Sequence, residues 1–223
     1  ILSCVGRPVS FRVTAMEADG TALLSRRLAQ QEAMEHLLRT ACPGDILPAV
    51  VTNCTAFGAF CDVGCGSAAL LGIARICVSR ISHAAERFVP GQPIFAAVHS
   101  IDRVRRRIFL THKELLGTWA ENAVAFRPGQ TVTGIVRSQT EYGTFVELTP
   151  NLSGLTDTPQ ALPEGSAVSV RIRSIQPERQ KIRLQVIRVL GPAAFPTPLP
   201  YRITGGSVRG WRYTQEPPLI SSQ

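Results

Sequence analysis

The chain repeats part of itself at a spacing of 85 residues, and this repeat limits the possible folds more than any other feature. Residues 57–60 (Phe-Gly-Ala-Phe) recur as residues 142–145 (Tyr-Gly-Thr-Phe). Two further pairs show the same spacing: Gly44 with Gly129, and residues 6–9 with residues 91–94. In a chain of 223 residues this repeat predicts three small modules of one kind rather than one large domain.

The repeated motif places an aromatic ring on a solvent-facing surface. If residues 58–63 form a β-strand, Phe60 and Asp62 point outward, because successive side chains alternate between the two faces. The second copy has the same parity, with Phe145 and Glu147 outward and with Thr144, Val146 and Leu148 inward. Exposed rings at matching places in two repeats indicate a platform that stacks nucleic-acid bases. For one copy alone, a ring that covers a barrel end is the simpler interpretation.

Composition restricts the partners more than the fold. The net charge of +8 suits a polyanionic partner, and the hydrophobic fraction of 44% is enough for buried cores. The six cysteines lack the spacing of a zinc site, so they are interpreted as small buried side chains in a reducing compartment. Neither a signal peptide nor an apolar run as long as a membrane span is seen in the sequence, which predicts a cytoplasmic protein. No metal or cofactor is predicted.

The pattern of short strands predicts the fold class. Five strands are predicted in the second module, at residues 46–53, 58–63, 70–74, 94–101 and 107–111. Five short strands without a long helix between them indicate a small closed barrel of the oligonucleotide-binding (OB) type. The third module follows the same pattern, but the region equivalent to residues 78–88 is largely deleted from it. Residues 9–16 and 21–25 predict a hairpin that turns at Asp19-Gly20.

Two amphipathic helices are predicted between the modules, each ending at a proline-glycine stop. The predicted fold is therefore mainly β, with tandem five-stranded OB-fold barrels joined by short amphipathic helices. The predicted segments are the C-terminal strands of an incomplete first barrel (1–27), a linker helix (28–43), a barrel (44–112), a second linker helix (113–127), a shorter and degenerate barrel (128–190) and a proline-rich C-terminal extension (191–223). We expect this extension to be partly ordered on the last barrel, with residues 211–213 (Trp-Arg-Tyr) stacking on RNA or anchoring the tail.

Taken together, these motifs resemble the RNA-binding repeat of the ribosomal protein S1 family. The resemblance is carried by residues 57–60, by Gly-Ile-Ala-Arg-Ile at 72–76, by Gly-Gln-Pro-Ile at 91–94, and by Ile-Asp at 101–102 followed by Arg-Ile-Phe-Leu-Thr at 107–111. It also includes the linkers Leu-Ser-Arg-Arg and Leu-Thr-His-Lys, which match multi-repeat bacterial members, and it covers roughly residues 1–190. The resemblance implies OB-type barrels that bind RNA.

The resemblance also implies a set of site residues in the second module. In that family two aromatics on the second strand and its approach stack on bases, and here they are Phe57 and Phe60. A histidine usually follows the third strand, and here Arg75 stands in its place. An arginine can stack on a base or bind a phosphate. The family's aspartate and arginine near the final turn fall on Asp102 and Arg106.

The third module keeps only part of this pattern. Tyr142 and Phe145 retain the aromatic pair, and Lys181 is expected to hold an RNA backbone electrostatically. The histidine position is Asp157, and the positions of the family's aspartate and arginine are Gln176 and Gln180. The resemblance therefore implies weaker RNA binding by this module, or a role mainly in holding the second module in place.

The predicted function is the binding of single-stranded RNA without catalysis. Messenger RNA is the expected ligand, and the small ribosomal subunit is a candidate partner. The four histidines fit no catalytic spacing, and no phosphate-cradling glycine loop is present in the sequence. Two alternatives stay open: an RNA-binding appendage of an RNA-processing enzyme, and a protein-interaction scaffold on the ribosome. The sequence does not predict the oligomeric state.

Overall fold

Two closed five-stranded barrels form the body of the computed structural model, which describes residues 9–64, 66–156 and 162–214. The first barrel comprises β3 (Ile46–Thr55), β4 (Gly58–Asp62), β5 (Ala68–Gly72), β6 (Pro93–Asp102) and β7 (Arg107–Thr111). The second comprises β8 (Thr131–Thr140), β9 (Gly143–Thr149), β10 (Leu152–Thr156), β11 (Ser166–Gln176) and β12 (Lys181–Pro192). The other elements are β1 (Arg12–Met16), β2 (Ala22–Ser25), α1 (Arg26–Thr40) and α2 (Trp119–Ala123).

Both barrels have the same strand order. The first runs β3-β4-β5-β7-β6 and closes on itself, and the second runs β8-β9-β10-β12-β11 in the same way. In each barrel one pair is parallel, β5 with β7 and β10 with β12, and the other pairs are antiparallel. The prediction of a mainly β chain with tandem OB-type barrels is confirmed.

Strand alternation supplies the core of each barrel. The predicted inward residues Ala59 and Cys61 are fully buried in the first core, and Thr144 and Val146 are buried in the second barrel. Burial raises the pKa of the Cys61 thiol to about 12, which fits the interpretation of this cysteine as a small core side chain. Cys42, Cys54 and Cys77 are also unbridged, whereas Cys4 and Cys65 lie outside the described residues.

The β1–β2 hairpin copies the last hairpin of each barrel. The pairing of β1 with β2 shifts by one residue between Val13 and Ala15, and that of β6 with β7 shifts between Val98 and Ser100. A shift at the corresponding place occurs in the second barrel, between residues 172 and 174. Val98 is buried, but Val13 is 50% exposed. The assignment of residues 1–27 to an incomplete barrel stays a prediction, which this shared irregularity supports.

Helix α1 (Arg26–Thr40) starts two residues before the predicted linker helix (28–43) and ends three residues before its predicted end. The Ser25 hydroxyl caps it by accepting a hydrogen bond from the amide of Leu28, and the helix ends three residues before Pro43. Its buried Leu38, with Met34 and Leu37 alongside, packs against the first core. The helix is therefore part of the first barrel's packing as well as a linker.

The prediction of one continuous helix over residues 113–127 is wrong. The structure has a 3₁₀ turn at Lys113–Leu116 and the short helix α2, separated by Gly117 with φ of 86°. A new helix starts there because Thr118 and Glu121 form a capping box, with the Thr118 amide donating to the Glu121 carboxylate at 2.7 Å.

Glu147 lies between the barrels and not in solvent as its outward parity predicts. Its carboxylate accepts hydrogen bonds from Arg87 Nη2 and Arg137 Nε, both at 2.6 Å, and its side chain is 4% exposed. Arg137 also pairs with Glu86. The parity prediction is correct for the strand, but the first barrel covers this position of the second.

The segment that only the first barrel has supplies most of this contact. The Ser79 amide donates to the Pro150 carbonyl at 2.9 Å, and the Ser79 and Ser153 hydroxyls lie 2.9 Å apart. The Val78 amide donates to the Asn151 side chain at 3.1 Å. Residues 78–88, which the second barrel lacks, therefore form the side of the first barrel that docks on the second.

The C-terminal tail contacts the second barrel, as expected, but most of it lies on the first barrel, which the sequence did not predict. The Val208 amide donates to the Gly44 carbonyl at 2.8 Å, and the Tyr201 hydroxyl lies 2.9 Å from Nε2 of His112. Both ends of the tail contact the second barrel: the Ala193 amide donates to the Gly165 carbonyl at 2.9 Å, and the Tyr213 hydroxyl donates to the Asn151 carbonyl at 2.6 Å. The tail therefore ties the two barrels together.

We expect Glu147→Ala to lower the free energy of unfolding by about 3 to 5 kcal/mol, because it leaves two buried guanidinium groups without their shared carboxylate. Glu32→Ala is the matched control, since Glu32 pairs with Arg12 in solvent and its loss should cost less than about 1 kcal/mol. Urea unfolding of both variants measures the difference. Equal losses would contradict a structural role for the buried pair.

The stability should also fall as the pH drops, because of His112. This fully buried ring donates from Nδ1 to the Ile76 carbonyl and accepts from Tyr201, and burial lowers its pKa from 6.5 to about 4. The unfolded chain therefore binds the proton first as the pH falls. Stability present above pH 6.5 should be lost between pH 6.5 and 4, by about 3 kcal/mol. Urea unfolding across this range should show a smaller loss for His112→Gln, and an equal loss would exclude His112 as the cause.

Candidate nucleic-acid interface

The turn between β3 and β4 presents two aromatic rings. Phe57 is 58% exposed and Phe60 is half-buried, and their ring centroids lie 5.8 Å apart with the planes at 84°. The prediction that Phe60 points outward while Ala59 and Cys61 point inward is confirmed. The rings form an edge-to-face pair in which Phe57 offers the more accessible surface.

The glycine between the two rings is required by the backbone. Gly58 has φ of 146°, and a Cβ atom there would collide with the Leu71 carbonyl on β5. Gly143 is held in the same way, with φ of 132° and the Thr156 carbonyl of β10 against it. Only glycine permits this approach, which explains why both copies read aromatic-Gly-x-Phe.

The second barrel brings its predicted site residues together. Tyr142 is 76% exposed and Phe145 is 39% exposed. Both line a cleft of about 450 Å³ whose far wall carries Lys181 and Arg183. The aromatic pair and the cation that the sequence predicts for this module therefore border one cleft.

A row of outward side chains extends each platform across neighbouring strands. In the first barrel Phe60 lies opposite Leu70 on β5, and Leu70 lies opposite Phe109 on β7. In the second, the equivalent row is Phe145, Leu155 and Arg183. Phe109 is partly exposed, so sequence reasoning missed an aromatic member of the first platform. The strand register is the signal that places it there.

Arg75 lies at one end of the first platform. It follows β5 in a 3₁₀ turn whose first residue, Ile73, donates its amide to the Phe57 carbonyl at 2.9 Å. The pKa of His99 on β6 is lowered, mainly by burial and next by the positive charge of Arg75. The turn that carries Arg75 is therefore hydrogen-bonded to the turn that carries Phe57.

Asp102 and Arg106 flank the turn between β6 and β7. Asp102 caps its own turn by accepting from the Arg105 amide at 2.8 Å, and this hydrogen bond lowers the pKa of its carboxyl. Arg106 has φ of 53°, and its guanidinium turns to helix α1, where it pairs with Glu35 at 3.0 Å. Both side chains therefore have structural partners.

Arg107 is the residue that corresponds to Lys181. In the strand register, Asp102 lies opposite Arg107 at the start of β7, and Gln176 lies opposite Lys181 at the start of β12. The preceding residue has positive φ in both barrels, 53° at Arg106 and 50° at Gln180. Arg107 is exposed and makes no ion pair among the residues that the structure describes. Arg107 is therefore a second candidate, beside Arg106, for a cation at this platform.

Within residues 9–64, 66–156 and 162–214 the structure offers neither a metal site nor a membrane-spanning helix. No group of three or more His, Cys, Asp or Glu side chains in these ranges could hold a metal ion. None of the helices in the described part of the chain has the length and apolar character needed to cross a bilayer. Asp157, which takes the position of the family's histidine, lies outside the described residues.

Comparison with known proteins agrees with this geometry. Residues 41–113 match the S1 RNA binding domain. The small ribosomal subunit protein bS1 homolog of Bacillus subtilis (strain 168) is 28% identical over 198 residues, which cover 81% of this chain and 52% of that protein. The small ribosomal subunit protein bS1 of Staphylococcus aureus (strain COL) is also 28% identical over 198 residues, covering 81% of this chain and 50% of its own.

The chain spans about half the length of these curated relatives. Among solved structures, the a/eIF2alpha-aDim2p-rRNA complex from Pyrococcus horikoshii OT3 aligns with 38% of this chain and 50% of its own at 20% identity, with a TM-score of 0.32. That likeness is too slight to bear on function. The matched domain identifies residues 41–113 as an S1 RNA binding domain, and over most of its length the chain is similar to bacterial bS1 proteins.

Proposed function

We propose that this chain is a non-catalytic protein that binds single-stranded messenger RNA in translation, in contact with the small ribosomal subunit. The observation that carries the proposal is the pair of aromatic platforms at matching places in two barrels, with Phe57 and Tyr142 more than half exposed. The S1 RNA-binding domain over residues 41–113 supports RNA as the ligand. The names of the bacterial relatives support the ribosomal setting.

Stacking supplies the base contacts in this mechanism. A base that lies on Phe57 covers its accessible ring, while Phe60 and Phe109 extend the apolar surface behind it. Such stacking accepts any base, because every base has a flat face. The platform therefore favours unpaired RNA over a duplex, whose bases are already stacked.

Cations beside each platform supply the phosphate contacts. Arg75 and Arg107 border the first platform, and Lys181 lines the cleft of the second. If about four phosphates are neutralised, the affinity for a single strand should fall with salt at a log-log slope near ~3. Binding that is insensitive to salt would remove the electrostatic part of the proposal.

The double variant Phe57→Ala/Phe60→Ala tests the platform. We expect its affinity for a labelled oligouridylate to fall at least tenfold, since each stacked base contributes about 1 to 3 kcal/mol. Fluorescence anisotropy measures the affinity. Phe11→Ala is the matched control, because Phe11 is 52% exposed and belongs to neither barrel's set of platform residues. A folded double variant with unchanged affinity would overturn the proposal, and loss of folding would instead favour rings that only cover the barrel end.

Arginine variants separate the sequence prediction from the structural assignment. We expect Arg107→Ala to lower the salt slope by roughly 0.7, the loss of one phosphate contact to a single strand. Arg106→Ala should leave the slope unchanged, because Arg106 is paired with Glu35 on helix α1. Anisotropy titrations at several salt concentrations measure both slopes. The reverse result would restore Arg106 as the phosphate contact.

A further inference from the structure

The first platform does not end at β7. Phe109, which closes the row from Phe60, lies opposite Ser100 on β6, and both residues are partly exposed. His99, next to Ser100, is exposed and lines a cleft of about 320 Å³. The opposite side of that cleft is formed by the C-terminal tail, through Arg209 and Trp211. An accessible surface therefore runs across the strands from the platform to the tail.

The tail is held in a defined position where this surface meets it. The amide of Trp211 donates to the Val208 carbonyl at 3.1 Å, and Val208 is itself bonded to Gly44. Tyr213 is fixed through its hydroxyl to Asn151. Trp211 is half-buried between these anchors and borders a second cleft, of about 500 Å³, together with Lys113 and Arg212. The indole therefore lies between two clefts on a preformed surface.

Cations without partners surround this indole. The side chains of Arg75, Lys113 and Arg212 make no ion pair or side-chain hydrogen bond within the part of the chain that the structure describes. The nearby carboxylate of Glu114 accepts from the Thr111 hydroxyl, and Asp45 pairs with Arg209. After burial, the charges of Arg75 and Lys113 lower the pKa of His99, while Glu114 opposes them. The surface is thus net positive, which favours a polyanion such as RNA over an apolar or basic protein surface.

We infer that a single RNA strand bound at the Phe57 platform continues over β6 onto the C-terminal tail, where Lys113 and Arg212 bind its phosphates and Trp211 offers a ring for a base. This inference rests on the proposed function and extends it, because the tail lies outside the matched domain at residues 41–113. The ligand class is unstructured RNA longer than the platform alone can hold. The combination of an aromatic ring with open cations along one groove is the arrangement that single-strand binding uses.

The double variant Lys113→Ala/Arg212→Ala tests the extension with two labelled oligouridylates, of five and twelve nucleotides. We expect the variant to bind the twelve-nucleotide strand with a salt slope lower by roughly 1.4, because two phosphate contacts are lost. The five-nucleotide strand, which the platform can hold, should bind as it does to the unaltered chain. Arg171→Ala/Arg173→Ala is the control, since both side chains are exposed on β11 of the second barrel.

The outcomes separate this inference from the proposed function. If the unaltered chain binds neither strand, the proposed function falls. If it binds both and the double variant loses nothing on the longer strand, only the extension falls. As a second readout, NMR titration should show the pKa of His99 rising when the twelve-nucleotide strand binds, because phosphates beside it offset Arg75 and Lys113. An unchanged His99 pKa in that complex would also overturn the extension.

Discussion

The geometry of this molecule depends on one carboxylate held between two guanidinium groups in the contact between the barrels. The Glu147 carboxylate forms ion pairs with Arg87 of the first barrel and with Arg137 of its own barrel, and all three side chains are almost completely buried. Each ion loses its hydration there, so the attraction within the cluster has to offset a large desolvation cost. The cluster therefore contributes more to a defined barrel orientation than to net stability, since other orientations would leave the buried charges unpaired.

Two guanidinium nitrogens of this cluster lack hydrogen-bond partners in the described part of the chain. Arg87 Nε and Arg137 Nη2 are buried without a hydrogen-bond partner in the described residues. Arg137 also lies 5.6 Å from the ring centroid of Phe195, at the start of the tail. The tail therefore covers the charged contact before it runs to the first barrel. Its prolines suit this extended course, because they fix the backbone without needing amide partners.

The sequence predicts those features that depend on nearest neighbours along a strand. The inward position of Cys61 and the outward position of Phe60 follow from alternation, and the structure has both. The break in the linker also had a local signal, the Thr118-x-x-Glu121 capping box after Gly117, which helical periodicity concealed. Local chemistry of this kind can be recovered from one sequence.

Features that depend on distant residues could not be predicted in this way. Glu147 has the pattern of a solvated side chain, and its burial comes from Arg87, which lies 60 residues away on the other barrel. The course of the tail was missed for the same reason, because His112 and Tyr201 are separated by 89 residues. The ion pair of Arg106 with Glu35 on helix α1 likewise joins residues 71 positions apart.

A fixed barrel orientation has a direct consequence for a ligand that spans both barrels. Under the proposed function, the two platforms act on one strand, so the second contact forms at an effective concentration set by their separation. A rigid contact keeps that separation constant, so binding does not have to order the barrels relative to each other. Residues 78–88 supply this contact through Ser79 and Arg87. The segment that distinguishes the first barrel from the second therefore serves the pair of barrels.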